Sequence, residues 1–159
     1  MTWFFNVELV EVDPRTENVS TGWFPLITQF TQVIEMKTIL FQPRFVPLVQ
    51  DGRKTQTIRR ERKRPIKVGD ELSLREWTGK PYRSKQMEIG KGVVTNVDRI
   101  SFIPPWVWVN DVPLGPKKEE ALALADGFRD YSDMILWFLK NHEGKRFDGV
   151  VIQWKKIHP

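Results

Sequence analysis

The chain has 159 residues, of which 40% are hydrophobic and 28% charged, and its formal net charge of +5 is compatible with a globular domain but not with wholesale disorder. It contains no cysteine and no apolar run near the roughly 20 residues of a membrane span, which excludes disulfides, thiolate metal sites and transmembrane helices. Because the N-terminus also lacks the features of a signal peptide, we expect a soluble cytoplasmic protein with no membrane partner.

Residues 1–35 differ from the rest of the chain and are predicted to be an N-terminal extension. Trp3 to Val12 contains a partly alternating stretch that suits a strand, and Trp23 to Ile34 is apolar but interrupted by Pro25. Residues 36–159 are predicted to form the folded domain.

From Lys37 onward the sequence predicts mostly strands. They are expected over the segments KTILFQ, KTQTIRR, ELSLREW, IGKGVVTNVDRISFI, WVWVNDV and DGVVIQWKKI, with a short helix or turn in PRFVPLVQDG that ends at Gly52. This order predicts an α+β domain that is mostly β, a small mixed-to-antiparallel β-barrel with a few short helices.

Two helices are predicted between the last two strands. Lys117 to Ala125 is expected to be helical and to bury a stripe made of Ala121, Leu124, Ala125 and Phe128. The second helix, from Asp133 to His142, is expected to be capped by Ser132.

The stretch from Gly52 to Arg59 carries the most informative set of polar residues. Within a strand, Thr55, Thr57 and Arg59 share one face, and Lys54 converges with Thr57 only if it precedes the strand. An ammonium, hydroxyls and guanidinium groups, including that of the neighbouring Arg53, would grip a phosphate, a ribose or a base edge. The alternative is an exposed polar strand.

Positive charge is concentrated beside this stretch. Residues 37–100 contain 16 Lys and Arg against 7 Asp and Glu. The densest run is predicted to be a phosphate-contacting rim, and its candidates are Arg60, Arg62, Lys63, Arg64 and Lys67. A solvated basic loop is the alternative.

Aromatic residues supply further candidates. Trp106 and Trp108 share a strand face, while Trp77 and Tyr82 flank the loop after the third predicted strand. Exposed rings can stack bases, although Trp in a small domain more often packs in the core. Tyr82 is expected to be exposed and is the ligand-binding candidate.

The two histidines, His142 and His158, have no ligand-like spacing. No metal site, no cofactor and no Ser-His-Asp triad is therefore expected.

Three motifs, in this order, resemble the ASCH family of the PUA-like superfamily. The first is the stretch from Gly52 to Arg59 with its basic loop and Val-Gly-Asp turn. Leu124 to Phe128 is similar to the family's Ala-x-(Asp/Glu)-Gly-Phe helix end, and Val150 to Trp154 to its last barrel strand. The resemblance covers roughly residues 37–157 and implies a PUA-like barrel.

The resemblance implies two functions. Many ASCH proteins bind RNA through a cleft beside the first motif, which implies RNA or a nucleoside or nucleotide as the partner. One bacterial branch hydrolyses the linear amide of N4-acetylcytidine with a Lys, a Thr and a Glu, which fall on Lys54, Thr57 and, with Asp in place of Glu, near Asp126. Glu119, seven residues earlier on the same helical face, is the substitute acid.

This chemistry needs no metal. A desolvated Lys54 can take the proton of the Thr57 hydroxyl, and a carboxylic acid can then protonate the leaving amine. Because a free nucleoside has no phosphate, the basic run favours a polymer or nucleotide ligand, and a binding module is the leading hypothesis. A protein-interaction or regulatory module that docks through residues 1–35 is a third alternative.

Overall fold

The computed structural model describes residues 36–157, so the extension predicted for residues 1–35, its docking role and His158 lie outside the described residues. Residues 36–157 form one sheet and a few short helices. The strands are β1 (Lys37–Phe41), β2 (Gln56–Arg59), β3 (Glu71–Trp77), β4 (Gln86–Ile103), β5 (Trp106–Val109), β6 (Val112–Pro113) and β7 (Phe147–Ile157). The helices are a 3-10 turn (Pro43–Phe45), α1 (Val46–Gln50), α2 (Pro116–Ala125) and α3 (Tyr131–Asn141). Within this part of the chain, none of the helices has the length and apolarity needed to cross a membrane.

The spine of the sheet is the 18-residue strand β4. One edge of β4 pairs antiparallel with β7, and the other pairs first with β3 and then with β5. β1 joins the sheet parallel to β3, and β2 joins it antiparallel to β7. Across residues 36–157 no strand pairing connects β1 to β2, so the sheet is open. The α+β class with mostly strands is confirmed, whereas closure into a barrel is not.

Two register shifts allow β4 to pair with three other strands. Its ladder with β3 shifts register between Leu74 and Arg75, and its ladder with β7 shifts between Val94 and Asn96. Such bulges bend a strand and increase its twist. Gly92 adds to the close packing, because a Cβ at this position would lie only 2.7 Å from Cδ1 of Trp154.

Aromatic contacts join the helices to the sheet. Phe138 of α3 stacks on Phe102 of β4 with ring centroids 4.4 Å apart and meets Phe147 of β7 at 5.2 Å. Phe45 meets Phe128, just after α2, edge-on at 5.4 Å. Each such pair contributes about 0.5–1.5 kcal/mol beyond the burial of its surface, so these rings hold α3 against the sheet and the end of α2 against the 3-10 turn.

The buried face of α2 differs from the prediction. Leu124 is 51% exposed and Ala121 is exposed, whereas Ala123 and Asp126 are buried; Phe128 is buried as predicted. The residue that follows the helix as its C-cap, Asp126, is polar and points inward, although a count of apolar positions assigns it to the outside.

α3 begins two residues earlier than predicted. Its N-cap is Asp130, whose carboxylate accepts the backbone N–H of Asp133 at 2.7 Å. The predicted cap, Ser132, lies inside the first turn. Asp and Ser cap helices about equally well, so residue type alone could not choose between them.

Candidate functional site

The stretch from Gly52 to Arg59 brings its polar side chains to one side of the chain. Gly52 has a φ of +79°, which lets the chain reverse after α1. β2 begins only at Gln56, so Lys54 precedes the strand and is free of its alternation. Lys54 and Thr57 consequently line the same hollow.

This hollow, the polar hollow, has a volume of about 110 Å³. It is lined by Phe41, Gln42, Phe45, Lys54, Thr57, Ile58, Arg59, Asp126, Phe128, Trp137 and Phe138. A cavity of about 150 Å³ in an engineered core holds benzene. The polar hollow therefore has room for one edge of a planar ring or for a small amide group, and not for a whole nucleoside.

The floor of the polar hollow is a buried ion pair. Nζ of Lys54 lies 3.2 Å from Oδ2 of Asp126 and also donates a short hydrogen bond to the Asp126 backbone carbonyl. Oδ1 of Asp126 accepts the backbone N–H of Ile58 at 3.0 Å. The Lys54 and Asp126 side chains are only 1% and 7% exposed, so each charge depends on its partner for stabilisation.

Asp126 is positioned by the way α2 ends. The N–H of Gly127 donates to the carbonyl of Leu124 and that of Phe128 to the carbonyl of Ala123, both at 3.0 Å, which forms a Schellman turn. Gly127 has a φ of +85°, which glycine adopts without strain. The carbonyl end of the helix dipole thus faces the buried ammonium and stabilises it.

Burial brings both pKa values toward neutrality. Loss of hydration lowers the pKa of Lys54 to about 8, although the charge of Asp126 opposes this shift. Loss of hydration also raises the pKa of Asp126 to about 6, against the opposing effects of Lys54 and Arg59. Both groups are charged between these values, and each can exchange a proton close to neutral pH.

Thr57 and Arg59 occupy the side of the polar hollow where the sheet is open. Oγ1 of Thr57 accepts a hydrogen bond from Nε of Arg59 at 3.2 Å. The Arg59 guanidinium also donates to the backbone carbonyl of Leu40, in β1, at 2.6 Å. The Arg59 side chain thus links β2 to β1, although the backbones of these two strands do not pair. Burial lowers the pKa of Arg59, and the nearby charge of Asp126 opposes that shift.

Aromatic rings form the walls. Nζ of Lys54 lies 4.8 Å from the ring centroid of Phe45 and 5.8 Å from that of Phe41. Cζ of Arg59 lies 5.5 Å from the Phe41 centroid. Cation–π contacts of this kind stabilise desolvated cations, and Phe128 and Trp137 extend the apolar wall.

Three predicted candidates lie outside the polar hollow. Arg53 is exposed and forms an ion pair with Asp51 at 2.6 Å. Thr55 is exposed. Its backbone N–H donates to the carbonyl of Ala125 in α2, and its carbonyl accepts the N–H of Trp154 in β7. Glu119 lies near Tyr131. Burial of the Tyr131 phenol raises the pKa of that group, and the negative charge of Glu119 raises it further.

The predicted basic rim lies in the loop between β2 and β3. The side chains of Arg60, Arg62, Lys63, Arg64 and Lys67 are all exposed. Cζ of Arg60 lies 5.4 Å from the ring centroid of Phe147, and the charge of Arg62 helps to lower the pKa of Arg59. This loop therefore carries positive charge close to the polar hollow.

A second hollow, the apolar hollow, adjoins the polar one. It has a volume of about 230 Å³ and is lined by Leu40, Phe41, Gln42, Pro43, Trp77, Gly79, Pro81 and Tyr82. Tyr82 is 90% exposed, as predicted, and its ring centroid lies 5.4 Å from that of Trp77. Trp106 and Trp108 of β5 are 64% and 38% exposed and line neither hollow.

His142 has a packing role. Its ring stacks on Phe138 at 5.5 Å and meets Phe147 at 4.8 Å. Within residues 36–157, no group of three or more His, Asp or Glu side chains could hold a metal ion.

Sequence reasoning missed Gln56 and the aromatic walls. Gln56 is buried, donates through Nε2 to the Leu122 carbonyl at 3.1 Å and accepts from Gln153 at 3.4 Å, which ties β2 to α2 and β7. Phe41 and Trp137 come from elements far from the motif in sequence. The nearest signal was Phe128, which belongs to the second motif of the resemblance.

The chain was also compared with known proteins, and no family model, curated protein or solved structure matches it.

Proposed function

We propose that the chain binds a pyrimidine ribonucleoside, free or within RNA, with one edge of the base in the polar hollow. The observation that carries this proposal is the convergence of Lys54, Thr57, Arg59 and Asp126 in one small hollow with aromatic walls. We further propose that the open sheet is a variant of the PUA-like barrel of the ASCH family, in which the side chain of Arg59 spans the gap between β1 and β2.

The hydrogen-bonding inventory supports a ligand that supplies acceptors. The Lys54 ammonium has three N–H donors, of which Asp126 takes two. The Thr57 oxygen accepts from Arg59, which leaves its own O–H as a donor within residues 36–157. Cytosine carries a carbonyl oxygen and an unprotonated ring nitrogen on one edge, so it matches these donors, and the rings of Phe41 and Phe45 suit its faces.

The test is calorimetric titration with cytidine and with N4-acetylcytidine. Thr57→Val removes the hydroxyl donor, and we expect it to weaken binding by about tenfold, the value of one neutral hydrogen bond. Thr57→Ser keeps the hydroxyl and is the matched control. If the unmodified chain does not saturate with either nucleoside, or if Thr57→Val binds as well as Thr57→Ser, the proposal is wrong.

A second candidate function is a metal-independent amidohydrolase acting on N4-acetylcytidine. The observation that favours it is the buried Lys54, with its pKa lowered to about 8, in the same hollow as the Thr57 hydroxyl and a carboxyl group with a raised pKa. Neutral Lys54 would take the hydroxyl proton while Oγ1 of Thr57 attacks the acetyl carbonyl. The C–N bond would then break, protonated Asp126 would give its proton to the leaving nitrogen, and water would release acetate from Thr57.

This reaction requires the minor protonation state of the pair. Because the pKa of Asp126 is about 6 and that of Lys54 about 8, both groups are charged at neutral pH, and moving the proton from Lys54 to Asp126 is unfavourable. The ion pair would therefore have to open when the substrate binds, and simple binding makes no such demand. For this reason the binding function ranks first.

The hydrolase candidate is tested by incubating the chain with N4-acetylcytidine and following cytidine by chromatography. We expect release that persists in a chelator, is abolished in Thr57→Val and is partly kept in Thr57→Ser. Absence of turnover at enzyme concentrations equal to that of the substrate would eliminate this candidate and leave the binding proposal intact.

A further inference from the structure

The loop between β3 and β4 is a closed, internally bonded turn. The N–H of Thr78 donates to the carbonyl of Lys85 at 2.9 Å, and the N–H of Gly79 donates to Oγ of Ser84 at 3.0 Å. Oγ of Ser84 in turn donates to the carbonyl of Lys80 at 3.0 Å. These bonds hold the tip of the loop, including Tyr82, in one conformation.

Tyr82 has a strained backbone conformation. Its φ is +63°, a left-handed conformation that is rare for a bulky residue, and 90% of its surface is exposed. Burial of the ring in the core therefore does not offset the backbone strain. Among the described residues, the one aromatic neighbour of the Tyr82 ring is Trp77. Strained backbone of this kind occurs chiefly where a side chain is presented for function.

The aromatic platform formed by Trp77 and Tyr82 is continuous with the polar hollow. Phe41 and Gln42 line both the polar and the apolar hollow, so only the end of β1 separates them. The apolar hollow, at about 230 Å³, exceeds the roughly 150 Å³ that holds a six-membered aromatic ring. A second ring can thus lie beside a ligand that already occupies the polar hollow.

The charge of the loop identifies the partner. Between Thr78 and Gln86 the chain carries Lys80, Arg83 and Lys85, all exposed, and no acidic residue. An aromatic face flanked by cations suits a base with its phosphates, the combination that single-stranded nucleic acids present.

We propose that the Trp77–Tyr82 platform stacks a second base of a single-stranded RNA whose neighbouring nucleoside places one edge of its base in the polar hollow. This inference rests on the proposed function and narrows it, because it makes the ligand an oligonucleotide of at least two residues and not a free nucleoside. Lys80, Arg83 and Lys85 contact the phosphates next to the stacked base.

The test compares two probes, cytidine and a fluorescein-labelled oligocytidylate RNA of about eight nucleotides, a typical site size for single-strand binders. Tyr82→Asn removes the ring and keeps a residue that tolerates positive φ. We expect this variant to bind the RNA about 5- to 150-fold more weakly, the range for loss of one stacked base. Its affinity for cytidine should remain that of the unmodified chain.

Two variants serve as controls. Tyr82→Phe keeps the ring and should bind the RNA within about twofold of the unmodified chain, because stacking uses the ring face. Trp106→Ala removes an exposed ring that lines neither hollow and should leave RNA binding unchanged. The inference is overturned if Tyr82→Asn binds the RNA as tightly as Tyr82→Phe, or if the RNA binds no more tightly than cytidine. If neither probe binds the unmodified chain, the proposed function fails as well.

Discussion

Lys54 and Asp126 determine what the polar hollow can do, because their charges are buried together. The burial of each group shifts its pKa in the direction that disfavours the charge, and the partner's charge does not fully cancel the shift. Such a pair is costly to form but more costly to break on one side. It therefore keeps a desolvated ammonium available to a ligand, and it contributes little net stability to the fold.

The first prediction concerns removal of one charge of this pair. Asp126→Asn keeps an oxygen for the N–H of Ile58 but leaves Lys54 without a counter-charge, and we expect a loss of about 3–5 kcal/mol in the free energy of unfolding. The measurement is urea denaturation. The double variant Lys54→Met/Asp126→Asn should recover most of the loss, since the unpaired Lys54 ammonium is then absent. Equal destabilisation of the single and double variants would show that the pairing is not the cause.

The second prediction is the pH dependence of stability. Between pH 3.8 and about 6, the folded chain holds the Asp126 proton more tightly than the unfolded chain, so this group's contribution to stability falls as pH rises. Between about 8 and 10.5, the unfolded chain retains the Lys54 proton that the folded chain has lost, so the contribution rises with pH. The pair's contribution is therefore lowest between about pH 6 and 8.

This minimum is measured as the difference in the free energy of unfolding between the unmodified chain and the double variant, across pH 4 to 10. We expect the free energy of unfolding of the unmodified chain, relative to that of the double variant, to be lowest near neutral pH and to be higher at more acidic and more basic pH. A difference that is greatest at neutral pH would mean that the ion pair stabilises the fold, contrary to the pKa directions.

At the scale of elements, the end of α2 is the structural feature that the site depends on most. A Cβ at Gly127 would meet Cδ1 of Leu48 at 3.1 Å and both Cδ of Lys54 and Cδ1 of Phe45 at 3.2 Å. We expect Gly127→Ala to be destabilised by the left-handed backbone, about 1–2 kcal/mol, and by crowding, about 1–3 kcal/mol more. The measurement is the midpoint of urea unfolding together with nucleoside affinity.

Gly69→Ala is the matched control for this change. Gly69 has a φ of +91° and no heavy atom within 4 Å of its would-be Cβ, so it carries the backbone strain without the crowding. We expect it to be destabilised less than Gly127→Ala and to bind nucleosides normally. Comparable losses of stability and affinity in both variants would refute the idea that Gly127 is required by the packing around Lys54.

Most strands were predictable from sequence, although WVWVNDV forms two strands, β5 and β6, joined by a turn at Asn110 and Asp111. The inward face of α2 was not predictable. ELSLREW alternates from Glu71 to Arg75, and the predicted segment matches the bounds of β3 (Glu71–Trp77). For α2, the apolar pattern favoured Leu124 as a buried residue, but the helix turns Asp126 inward because this carboxylate binds Lys54 and the N–H of Ile58. Hydrophobic periodicity does not reveal a polar side chain that is buried because it binds other buried groups.

For the molecule as a whole, local patterns indicated which residues meet at the site but could not decide the closure of the sheet. Lys54 and Thr57 lie three positions apart, so a turn before β2 was enough to predict their convergence. Closure depends instead on pairing between β1 and β2, and the strand partners of these elements, β3 and β7, come from distant parts of the chain. The bridge from Arg59 to the carbonyl of Leu40 likewise has no signature in the sequence.

The last prediction concerns the charge of the whole molecule and its distribution. If RNA follows the basic loop, neutralising Arg62 and Lys63 should reduce the steepness with which log K falls against log salt by about 1.4, or 0.7 for each lost phosphate contact on a single strand. The matched control neutralises Lys117 and Lys118, which are exposed at the start of α2, about 12–14 Å along the helix from Asp126. Both double variants, made by substitution with Gln, change the net charge equally. Equal effects on the slope would mean that RNA responds only to total charge, whereas a change confined to Arg62 and Lys63 places the phosphates beside the polar hollow.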